Sequence, residues 1–187
     1  MARISSLSIM TGGLVAATLV SATLVLSSLN VATPQAQPLV ELSASQDDLA
    51  RLILERSQDP ASLNKAEALV RSALDQSPFN NTARMRLIYI KTKRDKRVSA
   101  ETERLLGQSY DLAPYDVTVA RWRTAFALNH WASLTPDTKA AVSAEVSGFA
   151  TVSSQAFDVR ATLKTVGDPV GRVVATLWLI KYYGQAS

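Results

Sequence analysis

Two stretches of the chain share one pattern, AEALVRSALDQSP at positions 66–78 and SYDLAP at positions 109–114. In the first stretch, the small residues Ala66 and Ala73 and the larger Val70 fall on one narrow face of a helix. The proline at the end of each stretch stops the helix, because proline lacks the N–H that an interior helical position donates. The pattern therefore predicts the second helix of a hairpin, packed closely against the helix before it, and a second hairpin of the same kind.

The shared residues resemble the second-helix signature of tetratricopeptide repeats. Superposing the copies places positions 74–82 on positions 110–118, a shift close to the ~34-residue period of that family. The chain lacks the early Trp, Leu-Gly and Tyr positions of each first helix, and Thr102 stands where the second copy should have a small alanine. The resemblance covers about two hairpins. It implies an all-α stack of antiparallel helix hairpins that binds other components through helical surfaces.

Capping signals and apolar spacing predict about seven or eight helices and no strand. We expect the first helix to begin at a capping box headed by Ser45 and the second to begin near Ser62. The later helices are expected to follow Pro78, Ser99, Asp116, Thr135-Pro136 and Asp168-Pro169. Gly148 is expected to interrupt the sixth helix, and a short seventh helix is expected to run through Val159 and Leu163 to Gly167. Two helices are expected to bury several large apolar side chains: Val119, Trp122 or Ala120, Phe126 and Trp131 in the fifth, and Val170, Val173, Val174, Leu177 and Trp178 in the last.

The N-terminal part of the chain is apolar and carries no charged residue from Ile4 to Val40. Its apolar core is nearer the ~20 residues that span a bilayer than the 7–15 of a secretory signal, which favours a retained anchor over a cleaved signal peptide. The candidate cleavage site, Pro34-Gln35-Ala36, has proline where cleavage sites disfavour it. Arg3 precedes the run and acidic residues follow it, so the rest of the chain is expected to cross the membrane.

These observations predict three segments: a signal anchor or signal peptide at 1–31, a linker at 32–44, and one helical-repeat domain at 45–187. The expected location is the bacterial inner membrane, with a single N-terminal helix and the domain in the periplasm. The alternative is a soluble periplasmic domain released by signal cleavage.

The chain offers few residues for catalysis. It contains no cysteine and one histidine, His130, which excludes thiol chemistry and a two-histidine metal site. No serine lies in a nucleophile motif. The carboxylate pairs Asp47–Asp48 and Glu101–Glu103 fall where first helical turns are predicted, and there the helix dipole favours negative charge. We therefore expect no catalytic, metal-binding or cofactor-binding residue, and no enzyme.

The most basic part of the chain is a predicted interaction surface. It comprises Lys91, Lys93, Arg94, Lys96 and Arg97, to which we add Trp122 and Trp131 from the following segment. Nucleic acid is not expected as a partner, because an exported domain does not meet it and no aromatic residue is interleaved to stack on bases. The open alternatives are a solvated turn, anionic lipid, anionic glycan and an acidic protein partner.

A second resemblance bears on the pathway. The stretch from Asp111 to Asp116, with Arg121-Trp122-Arg123 and positions 131–136, is similar to small periplasmic repeat proteins found with bacterial surface-polysaccharide and O-antigen assembly systems. The expected function is a non-catalytic, membrane-tethered or periplasmic adaptor in cell-envelope biogenesis, in surface polysaccharide assembly or export above all. The alternative is an envelope protein that binds or processes glycans with Trp122, Trp131, Tyr115 and nearby carboxylates.

Overall fold

The computed structural model describes residues 43–151 and 158–184 of the chain. Within these ranges the protein is all-helical and has no strand, which confirms the all-α part of the predicted fold class. The helices are α1 Ser43–Arg56, α2 Pro60–Gln76, α3 Asn81–Asp95, α4 Ala100–Leu112, α5 Val117–Asn129, a 3-10 turn Trp131–Ser133, α6 Pro136–Thr151, α7 Val159–Lys164 and α8 Pro169–Tyr183. The chain divides into two compact units, one ending at Ser77 and the other beginning at Pro78.

The predicted anchor lies outside the described residues, as does nearly all of the predicted linker. No helix within 43–151 and 158–184 combines the length and the apolar character that crossing a bilayer requires.

The first unit contains the hairpin of α1 and α2. Its packed face is built from small residues, since Ala50 on α1 and Ala66, Val70 and Ala73 on α2 are all fully buried. The Ser43 hydroxyl donates a hydrogen bond of 2.8 Å to the Ala73 carbonyl, so the two backbones lie close together. This confirms the close-packed helical face predicted for 66–73.

The predicted start of the first helix is wrong, and the second helix begins two residues before the predicted Ser62. The described part of α1 begins at Ser43, so Ser45 and Asp47 lie inside the helix, are buried, and do not form a capping box. The first turn of α1 carries no acid, so the helix dipole does not explain Asp47 and Asp48. The N-cap of α2 is Asp59, which accepts from the Ser62 N–H at 2.8 Å. That cap places a proline at the first helical position, where its missing N–H costs nothing.

The two similar stretches of sequence end their helices in the same way. The N–H of Ser77 bonds to the Ala73 carbonyl, and the N–H of Ala113 bonds to the Ser109 carbonyl. The following helices are then capped by the equivalent residues Asn80 and Asp116. The echo in the sequence is thus a repeated helix–turn–helix geometry.

The second unit is arranged around α5, which packs against α3, α6, α7 and α8. Its centre is polar. Arg123 has a fully buried side chain and donates to the carbonyls of Ser109 (2.8 Å), Ala113 (3.2 Å) and Pro114 (2.9 Å). These carbonyls lie at and just beyond the end of α4, where the helix dipole favours a cation, and those of Ala113 and Pro114 follow its last residue. The same guanidinium forms an ion pair with Glu145 of α6, which is also fully buried.

Glu145 is held by more than its ion pair. Its second carboxylate oxygen accepts from the Tyr110 hydroxyl and the Thr124 hydroxyl, both at 3.1 Å. The Tyr110 ring lies under the guanidinium of Arg123, 3.9 Å from ring centroid to Cζ. Burial raises the pKa of Glu145, while Arg123 and the hydroxyl donors oppose that rise. This cluster, the Arg123–Glu145 network, joins α4, α5 and α6.

The orientation predicted for α8 is wrong. The buried residues are Gly171, Ala175 and Leu179, whereas Val170, Val173 and Leu177 are exposed. The reason is a close helix approach, because a Cβ atom at Gly171 would overlap the backbone carbonyl of Leu128 on α5. Small residues must face the core there, and the larger apolar residues are turned outward.

Other predicted core residues are placed more successfully. Val119, Ala120 and Phe126 of α5 are buried as expected. Trp122 is only half-buried, and Trp131 is half-buried in the 3-10 turn after α5. The first turn of α4 does contain Glu101 and Glu103, as predicted.

We expect Ala73→Leu to destabilise the α1–α2 hairpin by ~1–3 kcal/mol, because added methylene groups in a fully buried position force the backbones apart. Urea denaturation would measure the change. Ala68→Leu adds the same volume at an exposed position of the same helix and is the matched control. Equal stability of the two variants would contradict the close packing of α1 and α2.

We expect Arg123→Met to cost about 3–5 kcal/mol, because it leaves the buried Glu145 without its cation. Arg123→Met combined with Glu145→Leu removes both charges and should be clearly more stable than Arg123→Met alone. A double-mutant cycle by chemical denaturation measures this coupling. Simple additivity of the two changes would contradict the role given to the network.

Candidate functional site

A groove of about 520 Å³ lies between α3 and α5 in the second unit. Nine residues line it: Tyr89, Thr92, Lys93 and Lys96 from α3 and its C-cap, and Trp122, Ala125, Phe126, Asn129 and His130 from α5 and its C-cap. The spacing explains the two walls, since residues three and four apart lie on one face of a helix. No aspartate or glutamate is among these lining residues.

The α5 wall is a column of rings. Trp122 and Phe126 stack with centroids 5.0 Å apart and planes 17° from parallel. The His130 ring continues the column, 4.6 Å from Phe126 and tilted by 48°. Trp122 and His130 remain partly exposed, so the column presents aromatic surface to the groove.

The α3 wall supplies two cations. Lys93 and Lys96 are exposed, and neither forms an ion pair within the described part of the chain. Lys96 is the C-cap of α3 and adopts the left-handed conformation, with φ 55° and ψ 20°. That conformation costs roughly 1–2 kcal/mol for a residue with a Cβ atom, whereas glycine adopts it freely.

The structure separates the other members of the predicted basic surface. Lys91 is buried on the inner face of α3 and pairs with Glu101 of α4 at 2.6 Å, so its placement in an exposed basic turn is wrong. Arg94 is exposed and pairs with Asp95 at 3.3 Å. Arg97 is exposed as predicted. Neither Arg94 nor Arg97 lines the groove.

The aromatic residues expected to form a glycan platform do not come together. Trp131 packs edge-on against Trp178, with centroids 5.6 Å apart, and lies 5.8 Å from the Lys139 ammonium. Tyr115 packs edge-on against Phe149 at 6.0 Å. Of the three residues Trp122, Trp131 and Tyr115, only Trp122 lines the groove.

The last turn of α5 anchors the groove to the rest of the unit. The Asn129 side chain accepts from the N–H groups of Gly167 (2.9 Å) and Asp168 (3.1 Å), which fixes the turn before α8. Burial lowers the pKa of His130, and the nearby Asp168 carboxylate opposes that effect only in part. His130 is therefore a neutral ring near pH 7 and adds aromatic surface and one hydrogen-bond donor.

Among the described residues, no group of three or more His, Asp or Glu side chains could hold a metal ion. Glu145, Tyr110 and Arg123 have the composition of an acid–base site, but Glu145 and Arg123 are fully enclosed and no substrate can reach them. Their arrangement supports the fold.

Sequence reasoning missed this network, although a signal was present. Arg123 interrupts the apolar face formed by Val119, Ala120 and Phe126, and Glu145 lies between Val142 and Val146. Single opposite charges on two otherwise apolar helix faces indicate a buried ion pair.

Comparison with known proteins finds no matching family model, no matching curated protein and no matching solved structure. The geometry of the chain itself therefore defines its class. It is an all-α protein with helix hairpins and a cationic, aromatic groove.

We expect the stability of the protein to fall as the pH drops below about 6.5, because the folded state resists protonation of His130 while the unfolded chain binds that proton near its usual pKa of ~6.5. A group with a lowered folded pKa stabilises the fold above its unfolded pKa, and this contribution is lost as pH falls. Urea denaturation at a series of pH values tests this. His130→Gln should flatten the curve in this range, and an unchanged slope would contradict the assignment.

Proposed function

We propose that the chain is a non-catalytic helical adaptor of the cell envelope that holds an acidic segment of a partner protein in the groove between α3 and α5. One observation carries this proposal. Two lysines and a column of three rings line the same groove, and no carboxylate lines it with them. Such a surface favours a ligand that combines negative charge with apolar side chains.

The groove chemistry supports a protein partner over a glycan. Protein recognition of sugar hydroxyls commonly uses carboxylates and amides, whereas here Asn129 is committed to the backbone around Gly167 and acids are absent from the lining. Aromatic residues are, in contrast, enriched in protein-binding hot spots, and lysines complement the charge of an acidic segment. The whole unit is also basic, since Pro78–Ser187 contains fifteen Lys and Arg residues but only nine Asp and Glu residues.

The conformation of Lys96 supports the same proposal. A left-handed C-cap is a position where glycine would relieve backbone strain, yet this chain places there a lysine that faces the groove. Strain held at one residue is a common feature of binding sites. The lysine side chain supplies the second of the two cations.

The cellular setting of the proposal comes from the sequence. The uncharged run from Ile4 to Val40 supports a membrane tether or an export signal, and the similarity of 111–136 to periplasmic repeat proteins supports surface polysaccharide assembly or export as the pathway. A tethered adaptor would raise the local concentration of its partner at the membrane.

The groove can be tested with a fluorescent peptide of alternating Glu and Phe or Leu residues, using the full chain in nonionic detergent. Lys93→Gln with Lys96→Gln should weaken binding about tenfold or more, since each lost contact between desolvated charges costs roughly 1 kcal/mol or above. Binding by the unaltered chain should weaken as salt rises, and the variant should respond less. Fluorescence anisotropy across a salt series gives both quantities.

The matched control is Arg94→Gln with Arg97→Gln, which removes the same charge from the same segment but outside the groove. This control should change affinity far less. Equal losses in the two double variants would reduce the effect to general electrostatics. Equal binding of a peptide with Gln in place of Glu would contradict an acidic ligand, and binding to anionic vesicles in place of the peptide would assign the groove to lipid.

A further inference from the structure

The outward face of α8 carries an apolar stripe, which we define as Val170, Val173, Leu177 and Ile180. These side chains are 47%, 61%, 59% and 48% exposed. Their spacing of three, four and three residues keeps them on one side of the helix. Pro169, Arg172, Val173, Thr176 and Leu177 also line a shallow depression of about 390 Å³ along this face.

The stripe is not needed by the core. The opposite side of α8, formed by Gly171, Ala175 and Leu179, makes the contact with the rest of the unit. A helix that is apolar on both sides is expected to have both sides covered. One of the two sides of α8 has no covering element within the described residues.

The charged residues within α8 itself are all basic. Arg172 and Lys181 of α8 are exposed, and α8 itself contains no acidic residue. The carboxylate of Asp168, at the N-cap, accepts a hydrogen bond of 2.8 Å from the N–H of Gly171. Three aromatic residues that suit the boundary between water and lipid, Trp178, Tyr182 and Tyr183, lie partly exposed on the same helix.

We propose that the α8 stripe rests on the surface of an anionic membrane, with Arg172 and Lys181 against phosphate headgroups. Apolar residues flanked by basic and aromatic ones are the usual composition of a helix that lies in the membrane interface. This assignment is independent of the groove, since it uses a different helix and a different ligand.

A second copy of the chain fits the stripe less well. Four half-exposed side chains offer roughly 300 Å² on each copy, well below the ~800 Å² per partner of a stable protein interface. Two copies would also bring Arg172 and Lys181 of each α8 near those of the other, with no acidic residue on the helix to offset the repulsion. An anionic bilayer supplies both the apolar depth and the opposite charge.

The absence of cysteine makes a site-specific test possible. Leu177→Cys in the full chain is labelled with the fluorophore NBD, and the protein is incorporated into vesicles of phosphatidylcholine alone or with phosphatidylglycerol. In the anionic vesicles the emission should shift to the blue, and nitroxide-labelled lipid should quench it. In the zwitterionic vesicles both effects should be much smaller.

Two controls accompany this measurement. Ala100→Cys carries the same label at an exposed position of α4, which packs against α3 and α6, and should report water in both kinds of vesicle. Arg172→Gln with Lys181→Gln should lower the ratio of docked to undocked α8 about thirtyfold, since ~1 kcal/mol for each of two basic residues near an anionic surface sums to ~2 kcal/mol. Arg97→Gln with Arg121→Gln, at exposed positions elsewhere in the unit, should leave that ratio nearly unchanged.

Three results would overturn the proposal. A water-like signal from Leu177→Cys in both vesicles would leave the stripe facing solvent. A blue shift without lipid quenching, together with disulfide-linked dimers of Val173→Cys after oxidation, would assign the stripe to a second copy. A blue shift that is equal in both vesicles and in detergent, with neither quenching nor dimers, would assign it to another segment of the same chain.

Discussion

The second unit depends on one buried interaction, the ion pair between Arg123 and Glu145. A guanidinium with no exposure to water would be strongly destabilising by itself, so it needs acceptors and an opposite charge. Its two terminal nitrogens donate to backbone carbonyls at and just beyond the end of α4, while its Nε has no hydrogen-bond partner among the described residues. Its charge is met by the carboxylate of α6. Desolvation makes the pair of modest net worth, but the many directional bonds allow few alternative arrangements of the three helices.

The network fixes α5, and α5 in turn positions both surfaces to which we assign binding. The side of α5 that faces α3 carries Trp122, Phe126 and His130, and thus forms the aromatic wall of the groove. The end of α5 meets α8 at Gly171, and that close approach turns the α8 stripe outward. A rigid central helix with two differently composed surfaces is well suited to a scaffold, because binding of either ligand carries no entropy cost for ordering that helix.

The basic segment after α3 illustrates how similar residues acquire different roles. Lys91 lies on the buried face of α3 and forms an ion pair with Glu101 of α4, so it contributes to packing between α3 and α4. Lys93 and Lys96, two and five residues further along the chain, line the groove. Arg94 and Arg97 stay in solvent. The helical period of 3.6 residues separates these neighbours in sequence into three environments.

The sequence alone determined the all-α class, the hairpins, most helix boundaries and much of the buried apolar face of α5, because caps, prolines and apolar spacing act over a few residues. Tertiary structure decided the rest. Arg123 and Glu145 find each other only when α5 and α6 pack together, and the basic segment meets the Trp122 column only when α3 lies against α5. The outward face of α8 follows from a backbone approach at Gly171 that periodicity cannot reveal, since both sides of that helix are apolar and only the crossing distance selects the side with small residues.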